Sequence, residues 1–267
     1  MIIDAHTHVF PDKIAEKSIK TLEAIGKETA VIGGTLDELI ESMNSSGVDI
    51  SVVLPVVTKP EQFYSINSFA AEMNKNKRIV SFAGIHPLCE NINKSLDFIV
   101  SQGFRGIKLH PDYQQTDITD ENYIKILAGC KERGLTAVIH AGFDPAYPEH
   151  IHCPPDKAAD VVKYVTDEKP FIVLAHLGGA KQTDLVERFL VGLQVYFDLS
   201  FVLEETDQTR LTDIIREHSA QRILFATDSP WRDAKEYIKI IKSLPISNSE
   251  RDAILGDNCA KLLKLKI

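Results

Sequence analysis

Eight short apolar runs rich in β-branched residues, each followed by a longer amphipathic stretch, set the tightest limit on how this chain folds. The runs fall at residues 2–6, 50–55, 79–85, 105–109, 136–140, 171–176, 193–198 and 222–227. Between them, helix-period stretches lie at 61–76, 92–102, 120–133, 155–166, 181–191, 207–218 and 233–243. Strands so continuously apolar are covered on both faces, which requires parallel pairing with helical crossovers. Residues 11–47 predict two further helices, split around Gly33-Gly34 with Thr35 capping the second, and residues 248–266 add helix after the last strand. Plausible caps support several of these starts and stops: Thr119-Asp120-Glu121, Pro154-Pro155-Asp156 and Gly134. Eight such units close most economically as a (β/α)8 TIM barrel, a single α/β domain spanning residues 1–267, since barrels of about 250 residues are routine. A doubly wound open sheet is the competitor. It would place Gly-x-Gly-x-x-Gly after the first strand, where this chain has Asp4-Ala5-His6-Thr7-His8 instead.

Charge narrows the function classes. Thirty Lys plus Arg against 38 Asp plus Glu give a net charge of −8 with no basic run, which argues against nucleic acid or an anionic membrane as the main partner. A small-molecule substrate is the expected partner. No signal-peptide pattern opens the chain and no run approaches about 18 apolar residues, so the expected location is cytoplasmic. Cys89, Cys130, Cys153 and Cys259 are scattered, which suggests neither a zinc knuckle nor a disulfide framework.

Barrel enzymes carry their chemistry at the C-terminal ends of the strands. His6 and His8 close the first strand, and on extended backbone residues i and i+2 share a face, so both imidazoles can reach one ion. His86 follows the third strand, His110 the fourth, His140 ends the fifth, His150 and His152 lie in the next loop, and His176 ends the sixth. Only His218, in a polar helix, falls elsewhere; eight histidines of nine at one rim is not the pattern of scattered surface residues. Asp228 follows the eighth strand. Its bland reading is a cap for the Ser229-Pro230 turn, but barrel closure sets strand eight beside strand one, which favours a ligand role. Imidazole nitrogen with carboxylate oxygen suits zinc first, with manganese or iron(II) as alternatives, at an open catalytic site.

Six segments carry a resemblance: Asp4-Ala5-His6-Thr7-His8, Gly106-Ile107-Lys108-Leu109-His110-Pro111, Ile139-His140-Ala141-Gly142, Ala175-His176-Leu177-Gly178-Gly179, Thr227-Asp228-Ser229-Pro230 and Gly256-Asp257-Asn258. In this order the chain resembles the amidohydrolase-related family of metal-dependent TIM-barrel enzymes, which includes relatives of aminocarboxymuconate semialdehyde decarboxylase and several lactonases. The resemblance implies that His6, His8, His140 and Asp228 hold one divalent ion, with His176 beside it as a catalytic group. Such an ion lowers the pKa of a bound water towards about 7, Asp228 would take a proton as that water attacks, and His176 would hydrogen-bond the water or the developing oxyanion.

Other rim residues keep alternative readings. Alternation turns Lys108 and His110 inward. Lys108 is a carboxylated bridge between two metals, as in binuclear relatives, a contact to a substrate anion, or an internal ion pair; His110 lines the pocket. The loop 143–154 is long for a strand-to-helix connection and suits a semi-rigid wall, with His152 facing substrate. Trp231, the only tryptophan, either stacks on substrate or packs against the rim. Cys153 is not needed as a nucleophile where an activated water serves.

The expected activity is hydrolysis of a small C–O or C–N bond substrate, of lactone or amide type. A nonoxidative decarboxylase on the same scaffold is the first alternative and a catalytically silent metal-binding barrel the second. Aromatic-acid decarboxylases of the family often present an arginine to substrate, sometimes from a neighbouring subunit, so a homo-oligomer belongs among the expectations; Arg105 and Arg232 are the candidates in this chain.

Overall fold

The computed structural model describes residues 1–265, so Lys266, the last residue of the predicted C-terminal helix, lies outside the described residues. β1 (Ile3–Thr7) leads through α1 (Asp12–Gly26) and α2 (Leu36–Ser46) to β2 (Ile50–Val53) and α3 (Phe63–Met73). Then come β3 (Ile79–Ser81) with its continuation β4 (Ala83–Gly84), α4 (Ile92–Ser101), β5 (Gly106–Leu109), α5 (Glu121–Arg133), β6 (Thr136–Ile139) and α6 (Pro155–Val165). The second half adds β7 (Ile172–Leu174), α7 (Thr183–Phe189), β8 (Tyr196–Asp198), α8 (Gln208–His218), β9 (Ile223–Leu224), α9 (Ala234–Ser243), α10 (Asn248–Asp252) and α11 (Asn258–Leu262). Every strand pairing is parallel.

The strand expected at 79–85 is interrupted at Phe82, which divides the ladder into a sheet β1-β2-β3 and a sheet β4-β5-β6-β7-β8-β9. The cause is local. Asn67 of α3 accepts from Gly84 N–H at 2.8 Å and donates to Gly84 C=O at 2.9 Å, substituting for a neighbouring strand. Phe82 N–H still reaches Val53 C=O at 2.9 Å across that seam. At the other seam Ala5 donates to Phe225, Asp228 to His6 and His8 to Ser229, at 2.9, 2.9 and 2.6 Å, with Thr7 bridged in parallel to Ser229. Both seams are thus joined, and the eight strand positions form a closed barrel.

Two apolar layers hold it. The larger fills the space between strands and helices, while a second set, including Ile3, Val52, Phe82, Val138, Val173 and Leu224, packs within the barrel against Cys259, Ala260 and Leu263 of the C-terminal segment. Burying each such side chain contributes roughly 1.5 to 3 kcal/mol. The predicted C-terminal helix is continuous, with a π-helical turn, Ala253–Asp257, joining α10 to α11 on helical backbone. Asn258 Nδ2 donates to Ala220 and Ile223 carbonyls at 2.7 and 2.8 Å, so the Gly256-Asp257-Asn258 motif ties the end of the chain to the base of β9. A side chain at Gly256 would lie 2.3 Å from the Met1 carbonyl.

Local signals place several helix ends. Thr35 and Glu38 form a reciprocal capping box on α2, Asp120 caps α5, and Gly134 ends α5 in the left-handed region at φ 65°. Capping of this kind stabilises a helix by about 1 kcal/mol. Among the described residues no helix is long and apolar enough to cross a membrane.

Candidate active site

The seam between β1 and the segment after β9 brings His6, His8 and Asp228 together. His6 Nε2 and His8 Nε2 lie 3.2 Å apart, and Asp228 Oδ1 stands 3.3 Å from the first and 3.0 Å from the second. Their other atoms fix the tautomers. His6 Nδ1 faces Asp198 Oδ2 at 2.9 Å, and His8 Nδ1 faces the Leu54 carbonyl at 2.9 Å. A carboxylate and a carbonyl only accept, so each ring donates from Nδ1 and directs Nε2 towards Asp228. Burial, followed by repulsion from Lys108, lowers His6 to about 4, which keeps its ring neutral near pH 7. Burial alone would raise Asp228, but the imidazoles of His6, His8 and His176 outweigh it and hold the carboxyl well below its ordinary range.

Two imidazole nitrogens and a carboxylate oxygen, all within 3.3 Å of one another, form a donor set suited to a cation. Asp228 Oδ1 is buried and receives no hydrogen bond. Ligand atoms around one first-row divalent ion, with bonds of about 2.1 Å, stand roughly 3.0 to 3.4 Å apart, so the trio's spacing fits such an ion. Lys108 Nζ lies 3.1 Å from His6 Nε2, placing an ammonium at the edge of the same cluster. Burial lowers Lys108 to about 8 against the attraction of Asp228, Asp198 and Asp144.

His140 stands differently from the expected four-ligand arrangement. It does not belong to the trio's donor cluster. Its Nδ1 lies 3.0 Å from His176 Nε2, and its Nε2 lies 3.8 Å from both Asp112 Oδ2 and Asp144 Oδ2. Its ring stacks on His110, with centroids 4.1 Å apart and planes 9° from parallel. His176 Nδ1 meets Ser200 Oγ at 2.9 Å and the Ser200 carbonyl at 3.2 Å, while its backbone N–H donates to Asp198 Oδ1 at 3.0 Å. Both His176 and Asp228 occupy left-handed backbone, at φ 56° and 61°. Non-glycine residues adopt that conformation at a cost of about 1 to 3 kcal/mol, here under backbone hydrogen bonds from His176 to Asp198 and from Asp228 to the His6 carbonyl.

The remaining rim residues sort by contact. His110 is buried between His140 and Tyr113, and His152 Nδ1 binds Asp112 Oδ1 at 3.0 Å. Trp231 is half-buried and held by its backbone to Asp228 at 3.0 Å. His86 accepts from Leu88 N–H at 3.1 Å and caps its own turn, and His150 is an exposed partner of Asp117. Arg105 binds the Leu263 carbonyl, far from the rim in the chain's C-terminal segment. Arg232 pairs with Glu204 and Glu28 at 2.9 and 3.2 Å and lies over the Phe201 ring at 3.8 Å. Cys153 is fully buried, and burial raises its thiol above the ordinary range.

Sequence reasoning missed Asp198, Ser200, Asp112 and Asp144. Asp198 carried a usable signal, since it ends an apolar strand as Asp228 follows one. Asp112 and Asp144 lie in loops, where an aspartate more often reads as a turn former.

Residues 3–265 match the family model described as amidohydrolase. No curated protein sequence matches the chain. Among solved structures, 5-carboxyvanillate decarboxylase from Sphingomonas paucimobilis superposes with a TM-score of 0.74 at 13% identity, covering 99% of each chain. Dihydroxybenzoic acid decarboxylase from Polaromonas sp. JS666, solved with bound manganese and an inhibitor, gives 0.71 at 17% identity, covering 99% of this chain and 97% of that one. A candidate 2-pyrone-4,6-dicarboxylic acid hydrolase from Pseudomonas putida gives 0.68 at 17%, covering 100% and 98%. At these identities the superpositions establish the shared barrel fold.

Proposed function

Because the chain belongs to the amidohydrolase family, we propose that it is a divalent-metal-dependent hydrolase of a small lactone- or amide-type substrate. The observation that carries the metal requirement is the convergence of His6 Nε2, His8 Nε2 and Asp228 Oδ1 within 3.3 Å of one another. These three residues would hold the ion, zinc or manganese by donor type. When bound, the ion supplies a Lewis acid that polarises an oxygen of substrate or water.

The protein's own groups do the rest. Asp228 has a second carboxylate oxygen that would accept a proton during attack. Asp198 and Leu54 hold the two imidazoles in the orientation that presents Nε2. His176 has Nδ1 committed to Ser200 and Nε2 paired with His140 Nδ1, and would hydrogen-bond the reacting water or oxyanion from beside the cluster.

Hydrolysis is preferred over decarboxylation because gripping a substrate carboxylate calls for a bidentate cation. Arg232 is already paired with Glu28 and Glu204, and Lys108 is a point charge directed at His6. Decarboxylation is the second reading, favoured by the reactions named for several structural neighbours. A panel of lactones, amides and aromatic carboxylic acids assayed in isotopically labelled water separates the two. Solvent oxygen in a new product carboxylate supports hydrolysis. Released carbon dioxide, with solvent hydrogen on the product carbon, overturns it.

A further inference from the structure

We infer that Asp4 is a positioning residue of the proposed metal site: its buried carboxylate, acting through the Thr227 hydroxyl, sets the backbone from which His6, His8 and Asp228 project. The inference deepens the proposed function and rests on that ligand set.

Asp4 sits in β1 between buried Ile3 and Ala5, two residues ahead of His6, and Thr227 directly precedes Asp228. Both side chains are shut off from solvent. A carboxylate buried in this way opposes folding unless donors surround it, and the donors here belong to the site's own backbone. Asp4 Oδ1 accepts from Thr227 N–H at 3.0 Å and from His6 N–H at 3.3 Å. Asp4 Oδ2 accepts from the Thr227 hydroxyl at 2.6 Å, and that hydroxyl oxygen accepts in turn from Ser229 N–H at 2.9 Å. The residues on either side of Asp228 are therefore pinned to one carboxylate, Thr227 directly and Ser229 through a single hydroxyl. From Ser229 the connection continues to the second histidine, whose N–H donates to the Ser229 carbonyl at 2.6 Å.

Closing the barrel does not account for this network. The seam between β1 and the segment after β9 is already joined by main-chain bonds from Ala5 to Phe225, from Asp228 to His6 and from His8 to Ser229. What those bonds leave open is the conformation of Asp228, which sits in left-handed backbone at φ 61°. A non-glycine residue stays there only when its surroundings over-determine it, and the two flanking N–H groups held by Asp4 and Thr227 supply that constraint. Removing the Thr227 hydroxyl would leave buried Ser229 N–H without its acceptor and Asp4 Oδ2 without its donor, freeing the turn that aims Asp228 Oδ1 between the two imidazoles.

Chelator-competition titration with Zn²⁺, well below the unfolding temperature, tests this on wild type, Thr227→Val, Thr227→Ser and His6→Ala. Thr227→Val keeps the side chain's shape without the hydroxyl, and its affinity is expected to fall about 10- to 100-fold, the usual cost of losing an orienting partner. Thr227→Ser restores the hydroxyl and should recover most of that loss. The visible spectrum of the Co²⁺-loaded protein should change in Thr227→Val and return to the wild-type form in Thr227→Ser. Lower thermal stability of Thr227→Val with wild-type affinity and spectrum would make Asp4 a structural tie alone and overturn the inference. Should Thr227→Val fail to fold, Asp4→Asn decides by the same readings, because its NH2 would face the Thr227 hydroxyl and reverse that bond. His6→Ala separates the underlying reading. If it binds Zn²⁺ like wild type, the ligand set falls and the inference with it; if only His6→Ala loses the ion, the ligand set stands and the role of Asp4 is overturned.

Discussion

Asp198 Oδ2 stands 2.9 Å from His6 Nδ1, and through this contact a residue of β8 sets which nitrogen of a β1 histidine faces Asp228. The other oxygen, Oδ1, accepts from His176 N–H, Ser200 N–H and Ser200 Oγ. In Asp198→Asn the amide oxygen would keep those three donors, and the NH2 would be turned towards His6. His6 would then move its proton to Nε2 and lose its lone pair at the cluster. Zn²⁺ affinity is expected to fall about 10- to 100-fold, the usual cost of losing an orienting partner. Competition titration with a chelating dye measures it, and affinity within twofold of wild type would refute the tautomer argument.

His176 is expected to act in the chemistry and not in the trio's coordination. His176→Asn, whose side chain tolerates the left-handed backbone at φ 56°, should retain the ion and lose turnover by roughly a hundredfold to ten-thousandfold. Metal content and kcat measured on one preparation check both halves. Loss of the ion would move His176 into the metal shell.

Lys108 competes with a metal for the His6 lone pair. Removing a positive charge some 3 to 5 Å from a dication should strengthen metal binding by at least about tenfold in Lys108→Met at pH 7. The wild-type affinity should also rise as pH passes through about 8, where the ammonium loses its proton, and the variant should lack that step. A carboxylated lysine bridging two metals predicts the reverse, with one ion lost from the variant.

His218 supplies a pH dependence away from the site. It is buried against Phe197 at a centroid distance of 4.0 Å, accepts from Gly192 N–H and faces the Val195 carbonyl, and burial lowers it to about 4. Between the unfolded value near 6.5 and 4, the unfolded chain binds the extra proton, so stability is full above about 6.5 and falls as pH drops through that window. The loss attributable to this one ring is at most about 3 kcal/mol. Urea unfolding of wild type and His218→Gln from pH 7 to pH 4 should show a shallower decline in the variant; equal slopes would contradict the assignment.

Gly142 follows His140 in the Ile139-His140-Ala141-Gly142 motif with φ 88°, and a Cβ there would lie 2.1 Å from the Ala180 backbone nitrogen. Gly142→Ala should lower stability by at least about 2 kcal/mol in denaturant unfolding, through both the strained backbone and the close approach of the two loops. A change below about 0.5 kcal/mol would show that this approach relaxes freely.

By itself, the sequence determined the architecture and the rim. The alternation of apolar runs with helix-period stretches required parallel strands covered on both faces, and the ends of those strands named His6, His8, Lys108, His110, His140, His176 and Asp228, because side-chain direction and strand polarity are local properties of the chain. The interruption at Phe82 escaped that reading, since it depends on Asn67 reaching Gly84 from a helix. Only the tertiary structure decided which ring nitrogen each histidine turns inward and with whom it is grouped. A bare imidazole has two nearly equivalent tautomers, and the choice falls to distant acceptors: Asp198 for His6, Leu54 for His8 and Ser200 for His176. His140, on the strand between those of Lys108 and His176, faces Asp112 and Asp144 from the loops that follow β5 and β6.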